Sequence, residues 1–132
     1  MNRIVHFEIH VDDPERAMKF YKEIFGWEYQ DYSSVTGTPY WGVLTAAIDS
    51  KEPGINGGLL KRPMPLKEQC GSNAFVSTIQ VENYDASAEK VIALGGKVAM
   101  PKFALAGMAW QGYFLDTEGN TFGLHQADTN AK

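Results

Sequence analysis

Residues 4–27 read IVHFEIHVDDPERAMKFYKEIFGW, and this stretch decides the fold. Residues 6–11 alternate strictly: Phe7, Ile9 and Val11 point one way, and His6, Glu8 and His10 the other. Period-two alternation predicts a strand with one apolar face. Its opposite face is unusual, with two imidazoles and a carboxylate in one row. Asp13-Pro14-Glu15 then predicts a helix start: an N-capping carboxylate, a proline at the first helical position and an acid at the positive helix end. Ala17, Met18, Tyr21, Ile24 and Phe25 fall at helical spacing and predict an apolar stripe running to about Phe25. Gly26 supplies a left-handed stop.

Further along, residues 27–32 alternate aromatic with polar and predict a second strand. Residues 33–39 have turn chemistry. Residues 40–48 are β-branched and aromatic, and predict a third strand. A short strand over 55–61 contains the pair Gly57-Gly58, which lets another group approach closely. Residues 62–72 carry two prolines and few apolar side chains, and divide a first module of about 1–61 from a second of about 73–127. In the second, residues 73–81 predict a strand. Asn83 caps a helix over 84–94 that ends at Gly95-Gly96. Strands follow over 97–105, 110–115 and 121–126, the last two joined by a tight turn at 116–120.

The two halves repeat. Val11-Asp12-Asp13 lies over Val81-Glu82-Asn83, an offset of 70 that also puts Ile9 on Ile79, Gly26 on Gly96, Tyr40 on Trp110 and Gly42 on Gly112. At the last strand the offset is 65, with Gly58 on Gly123. Each half reads β-α-β-β-β. One such unit leaves a sheet face uncovered, so the expected fold is α+β: one domain over 1–132, with two βαβββ modules forming curved mixed sheets around a cleft.

Composition narrows the function classes. The 132 residues carry 44% hydrophobic and 12% aromatic side chains, as a folded domain does. A net charge of −4 gives no basic face for nucleic acid. No run has membrane-spanning length, and the first residues lack a signal-peptide pattern. Cys70 is the single cysteine, so no internal disulfide forms. It reads as a bystander thiol in a reducing compartment, which makes the expected location cytoplasmic.

With these motifs in view, the chain resembles the vicinal oxygen chelate superfamily, which includes glyoxalase I, bleomycin-resistance proteins and extradiol dioxygenases. The resemblance is carried by HFEI at 6–9, DPERA at 13–17, FY at 20–21, FGW at 25–27, GYFLD at 112–116 and EGNTFGL at 118–124. It implies the paired βαβββ fold, a small-molecule ligand and a homodimer. In metal-dependent members it also implies four ligands, from the first and last strands of each half. The matching positions here are His6, Val76, Gly58 and Gly123. Only His6 can hold a metal, and one imidazole does not retain a divalent ion against water. No metal or other cofactor is therefore expected.

A divalent metal stays possible only through a non-standard set, His6 with Glu8 or Glu8 with His125. Same-face neighbours on a strand are about 6–7 Å apart, which is too far for His6 and His10 to share one ion comfortably. The residues expected to bind a ligand are His6, Glu8, His10, Trp110 and His125. His6 and Glu8 are the catalytic candidates, as general acid or base. Three readings follow: a metal-free protein that binds a small organic molecule; a metal-dependent lyase, isomerase or dioxygenase with a non-standard ligand set; and a metal-free acid–base enzyme. The missing ligands weigh against the second.

Overall fold

The computed structural model describes residues 6–63, 65 and 76–132. Met64, Cys70, most of the expected linker and the start of the strand expected over 73–81 lie outside the described residues. The chain divides into two compact units, Met1–Pro65 and Leu66–Lys132.

The first unit contains β1 (Phe7–Val11), α1 (Pro14–Phe25), β2 (Glu28–Asp31), the single helical turn α2 (Ser33–Thr36), β3 (Tyr40–Leu44) and β4 (Gly57–Lys61). Its sheet runs β1-β4-β3-β2. The helix forms where its ends are satisfied. Asp13 Oδ1 accepts a hydrogen bond from the Arg16 N–H at 3.1 Å, and Gly26 adopts φ 73° while its N–H donates to the Lys22 carbonyl at 2.9 Å. Ala17, Phe20 and Tyr21 are the buried face of α1, and Val11, Val43 and Leu59 are the fully buried strand side chains of the unit. Burying a side chain of this size stabilises by about 1.5–3 kcal/mol. The apolar stripe is therefore centred on Phe20 and Tyr21, whereas Met18, Ile24 and Phe25 are only half-buried. Tyr21 stacks on Trp27 with ring centroids 5.2 Å apart, which ties the helix end to the next strand.

Two expectations for this unit are corrected. The segment over 33–39 is not all turn: α2 forms there and closes on Gly37, whose N–H donates to the Ser33 carbonyl at 2.9 Å. The third strand stops at Leu44 rather than residue 48. Thr45 leaves the ladder because its N–H bonds the Asn56 side chain at 2.9 Å and its hydroxyl bonds the Ile55 carbonyl at 3.0 Å. Ile48 is then 97% exposed.

The second unit contains β5 (Ser77–Gln80), α3 (Tyr84–Ala93), β6 (Lys97–Leu105), β7 (Ala109–Leu115) and β8 (Thr121–Ala127), in the sheet order β5-β8-β7-β6. Asn83 caps α3 through the Ala86 N–H at 2.9 Å, and the Gln126 side chain accepts from the Tyr84 N–H at 2.7 Å. Val91, Phe114, Phe122 and Leu124 form its core. The left-handed residue after α3 is Gly95, at φ 95°, and not Gly96.

Register confirms the repeat and adjusts it. Glu8 pairs with Gly58 and Thr78 with Gly123, both in parallel ladders, so the offsets of 70 and 65 hold for the first and last strands. In the middle strand the partner is displaced by one. Tyr40 pairs with Leu60, and Gln111 pairs with His125. Tyr40 therefore corresponds to Gln111, not to Trp110. The cause is the core: Val43 and Phe114 are both buried, and a strand in the other phase would turn Phe114 to the opposite face. Two register irregularities in β6, between Val98 and Phe103, absorb the added residues.

Candidate functional site

The polar face of the first sheet is built on a glycine floor. Gly58 lies beside Glu8, and Gly42 lies beside Gly58 on the next strand. A side chain at Gly58 would overlap the Tyr40 hydroxyl, and one at Gly42 would meet the Tyr32 ring at 2.7 Å. Two tyrosines thus lean over positions from which nothing projects.

The Tyr40 hydroxyl donates to Glu8 Oε1 at 3.2 Å and lies 3.1 Å from His6 Nε2. Its one proton is directed at the carboxylate, so the contact with His6 is made by an Nε2–H donor; in a neutral ring with that tautomer Nδ1 is an acceptor. His10 Nε2 stands 3.7 Å from Glu8 Oε2. Burial, followed by the nearby Glu8 charge and its hydrogen bond, pushes the Tyr40 phenol above its ordinary range, so it remains a proton donor. Glu8 is held but not buried, with 44% of its side chain exposed. Arg62 fixes the end of β1 by donating to the His10 carbonyl at 2.9 Å and to Asp12 at 3.2 Å.

The second sheet carries a counterpart. His125 Nδ1 donates to Gln111 Oε1 at 2.8 Å. Gln111 is only 5% exposed. A Cβ at Gly123 would meet Thr78 Oγ1 at 2.7 Å and Gln111 Nε2 at 3.0 Å. Trp110 is not part of this row. It points to the other face of β7, where its indole N–H donates to Asp128 at 3.0 Å and Lys102 Nζ sits 4.6 Å above its ring. Lys102 also pairs with Asp85 at 2.8 Å. The Asn130 N–H, the Trp110 indole and the Lys102 charge hold the Asp128 carboxyl below the usual range.

His6, Glu8 and His10 are therefore brought together in the first unit, His125 stands in the second with Gln111, and Trp110 is apart from it. Tyr40, Gln111 and Thr78 were missed by sequence reasoning. The signal for Tyr40 was the strand glycine Gly58, which marks a close approach without naming what approaches.

The positions that would supply a metal quartet do not fit one. Gly58 and Gly123 have no side chains, their space is filled from adjacent residues, and Val76 offers no donor. Among the described residues no three or more His, Cys, Asp or Glu side chains gather as a metal site. Also among them, no helix is long and apolar enough to cross a membrane.

Comparison with known proteins agrees with this architecture. Residues 3–32 match the family described as bleomycin resistance protein-like N-terminal. Over 124 residues the chain is 30% identical to CFP32 of Mycobacterium tuberculosis, a candidate glyoxylase by its name, covering 92% of this chain and 44% of that one. The chain thus spans less than half the length of the curated relatives it matches. The fosfomycin resistance protein FosX of Listeria monocytogenes superimposes with TM-score 0.72 at 20% identity, covering 97% of this chain and 93% of that one. These matches support the vicinal oxygen chelate superfamily. TnmS3, an antibiotic binding protein from a Streptomyces species, also superimposes, at TM-score 0.67 and 23% identity over 97% of this chain and 98% of that one. At these identities both structural likenesses establish the fold alone.

Proposed function

We propose that this chain binds a small organic molecule bearing hydrogen-bond donors, an amine above all, on the polar face of the first sheet, and that it does so without the metal of its superfamily. The observation that carries this reading is the Tyr40 hydroxyl, fixed between His6 and Glu8 over Gly58. With that proton directed at Glu8, the face presents acceptors: Glu8 Oε2, with His10 Nε2 3.7 Å away, and Nδ1 of a neutral His6. A protonated amine satisfies an exposed carboxylate best, through a charge-assisted bond. The descriptions of FosX and TnmS3, resistance and antibiotic binding, lend direction to a binding role. A cytoplasmic homodimer belongs to the same reading and is checked by sedimentation and fractionation. The functional test is a thermal-shift screen of aromatic amines against purified protein, with and without a chelator. The expected result is a rise in Tm that the chelator leaves intact and Glu8→Gln removes. A rise seen only with stoichiometric metal would overturn the reading.

One observation favours a second reading, that of an acid–base enzyme. His6, Tyr40 and Glu8 form a continuous hydrogen-bonded chain, and such a chain can move a proton to or from a bound ligand. Turnover abolished by Glu8→Gln at unchanged Tm would support it.

A further inference from the structure

The helix-facing side of the second sheet differs from that of the first at three matched positions. The ladders set the match: Val43 lies opposite Gly57 and Phe114 opposite Phe122, so Val43 corresponds to Phe114. Tyr29 stands opposite Val43, and Val98 stands opposite Phe114. Cross-strand partners share a face. The first repeat therefore puts a tyrosine, its hydroxyl buried, where the second puts a half-exposed valine. On the helices, aligned by their caps Asp13 and Asn83, Met18 corresponds to Ala88 and Lys22 to Ile92. Lys22 pairs with Glu28 at 2.9 Å, whereas Ile92 is apolar and half-exposed. Each change removes bulk or charge from the gap between helix and sheet. What remains in the second unit is an open groove of about 760 Å3. Ala88, Ile92 and Ala93 of α3 form one side, Val98 and Pro101 of β6 the other, and Phe114 the floor.

We propose that this groove is a binding site for a hydrophobic monocation, an apolar chain or ring ending in one ammonium group. Its volume falls within the range of small-molecule sites, about 300–1,000 Å3. Covering the exposed halves of Ile92 and Val98 supplies the driving force. The charges choose the sign of the ligand. Asp85 and Glu89 stand one turn apart on α3, and Lys102 is the cation of the lining. Its ammonium is committed: Nζ contacts the two Asp85 carboxylate oxygens at 2.9 and 2.8 Å and lies over the Tyr84 and Trp110 rings. An anionic ligand would have to draw Lys102 away from these partners. Glu89 is the lining charge that remains, and a cation complements it. The groove lies apart from the polar face of the first sheet, and the inference does not rest on the ligand proposed there.

The probe is decyltrimethylammonium, kept below its micelle concentration, titrated into the isotope-labelled full chain and followed by amide chemical shifts. A quaternary ammonium has no N–H, so it cannot make the hydrogen bonds expected of a ligand on the first sheet. The expected result is saturable shifts centred on Ala88, Ile92 and Val98. Decanoate, with the same chain length and the opposite charge, binds about two- to fivefold more weakly, the scale of an exposed ion pair. Glu89→Gln removes that difference. Val98→Tyr, which restores the residue of the first repeat, removes saturable binding, while Glu8→Gln leaves it unchanged. If Val98→Tyr fails to fold, Ala88→Met fills the groove from the helix side and decides in its place. The proposal is overturned if the shifts do not saturate, if decanoate binds as tightly, if binding survives in the folded filling variant, or if Glu8→Gln abolishes it. A dimer that Val98→Tyr dissociates would assign the groove to a second copy of this chain and overturn it as well.

Discussion

Tyr40 and Gln111 are equivalent residues of the two repeats, and each leans its polar end over a glycine, Gly58 and Gly123 respectively. Each also bonds an imidazole, His6 in one case and His125 in the other. The chain therefore solves the same local problem twice with different chemistry. Where a last-strand side chain is missing, the neighbouring strand fills the gap.

The first prediction concerns that filling. Gly58→Ala is expected to destabilise the protein by about 1–3 kcal/mol, the usual cost of overpacking, because the new methyl group meets the Tyr40 ring. In a Tyr40→Ala background the same change costs less. Urea unfolding of the four proteins in a double-mutant cycle measures the coupling. Equal costs in both backgrounds would show that the ring is free to leave.

Gly112 has the same relation to Tyr84 on the opposite face of the second sheet, where the Tyr84 hydroxyl fills the space of the absent Cβ. Tyr84 is 2% exposed and opens α3, so its ring cannot swing into solvent as an exposed one can. Gly112→Ala is expected to cost about 1–3 kcal/mol in urea unfolding. Exchange protection of the α3 amides should fall with it.

Asp116 is 4% exposed and organises the last hairpin turn. Its Oδ1 accepts from the Glu118 and Asn120 N–H groups at 2.8 Å each, and its Oδ2 accepts from the Asn120 side chain at 3.2 Å. Asp116→Ala leaves buried donors unmet and is expected to cost about 1–3 kcal/mol, while Asp116→Asn, which keeps one acceptor, costs less. Thermal unfolding of the two variants side by side gives the ranking.

Tyr29 carries a buried hydroxyl with no hydrogen-bond partner among the described residues. Tyr29→Phe is therefore expected to be neutral or stabilising by about 1 kcal/mol at neutral pH. Burial first, and the Glu28 charge second, raise the Tyr29 phenol well above its ordinary value. The folded protein thus keeps a proton that the unfolded chain loses above about pH 10. Its stabilising contribution is complete below that pH and is lost as pH rises toward the folded value. Urea midpoints between pH 8 and 11 should fall more steeply for the native protein than for Tyr29→Phe.

Much of this architecture is legible in the residues. Asp13, Pro14 and Gly26 mark α1 because caps act locally, and the alternation of residues 6–11 survives because both faces of β1 have a distinct environment. The repeat is legible at Glu8/Gly58 and Thr78/Gly123. The middle strand is not, because core packing sets the phase of β7 against β8, and a fixed sequence offset does not see that one-residue displacement. The displacement moves the counterpart of Tyr40 from Trp110 to Gln111, so a fixed offset misses the second polar row. Gly58 announced a close approach, but only the ladder shows that Tyr40 makes it. The cluster of His6, Glu8 and His10 was readable from period two alone, whereas His125 and Trp110 part company by one residue of register.

In both sheets the opening strand finds its parallel partner at the far end of its own repeat. Ile9 pairs with Leu59, and Ile79 with Leu124. On the ribosome, β1 emerges before its partner and must wait for about fifty further residues before it can join that ladder. Closing so long a loop is slow, so the order of synthesis leaves an apolar strand unpaired in each nascent half. The strand that opens each repeat therefore waits on the strand that ends it.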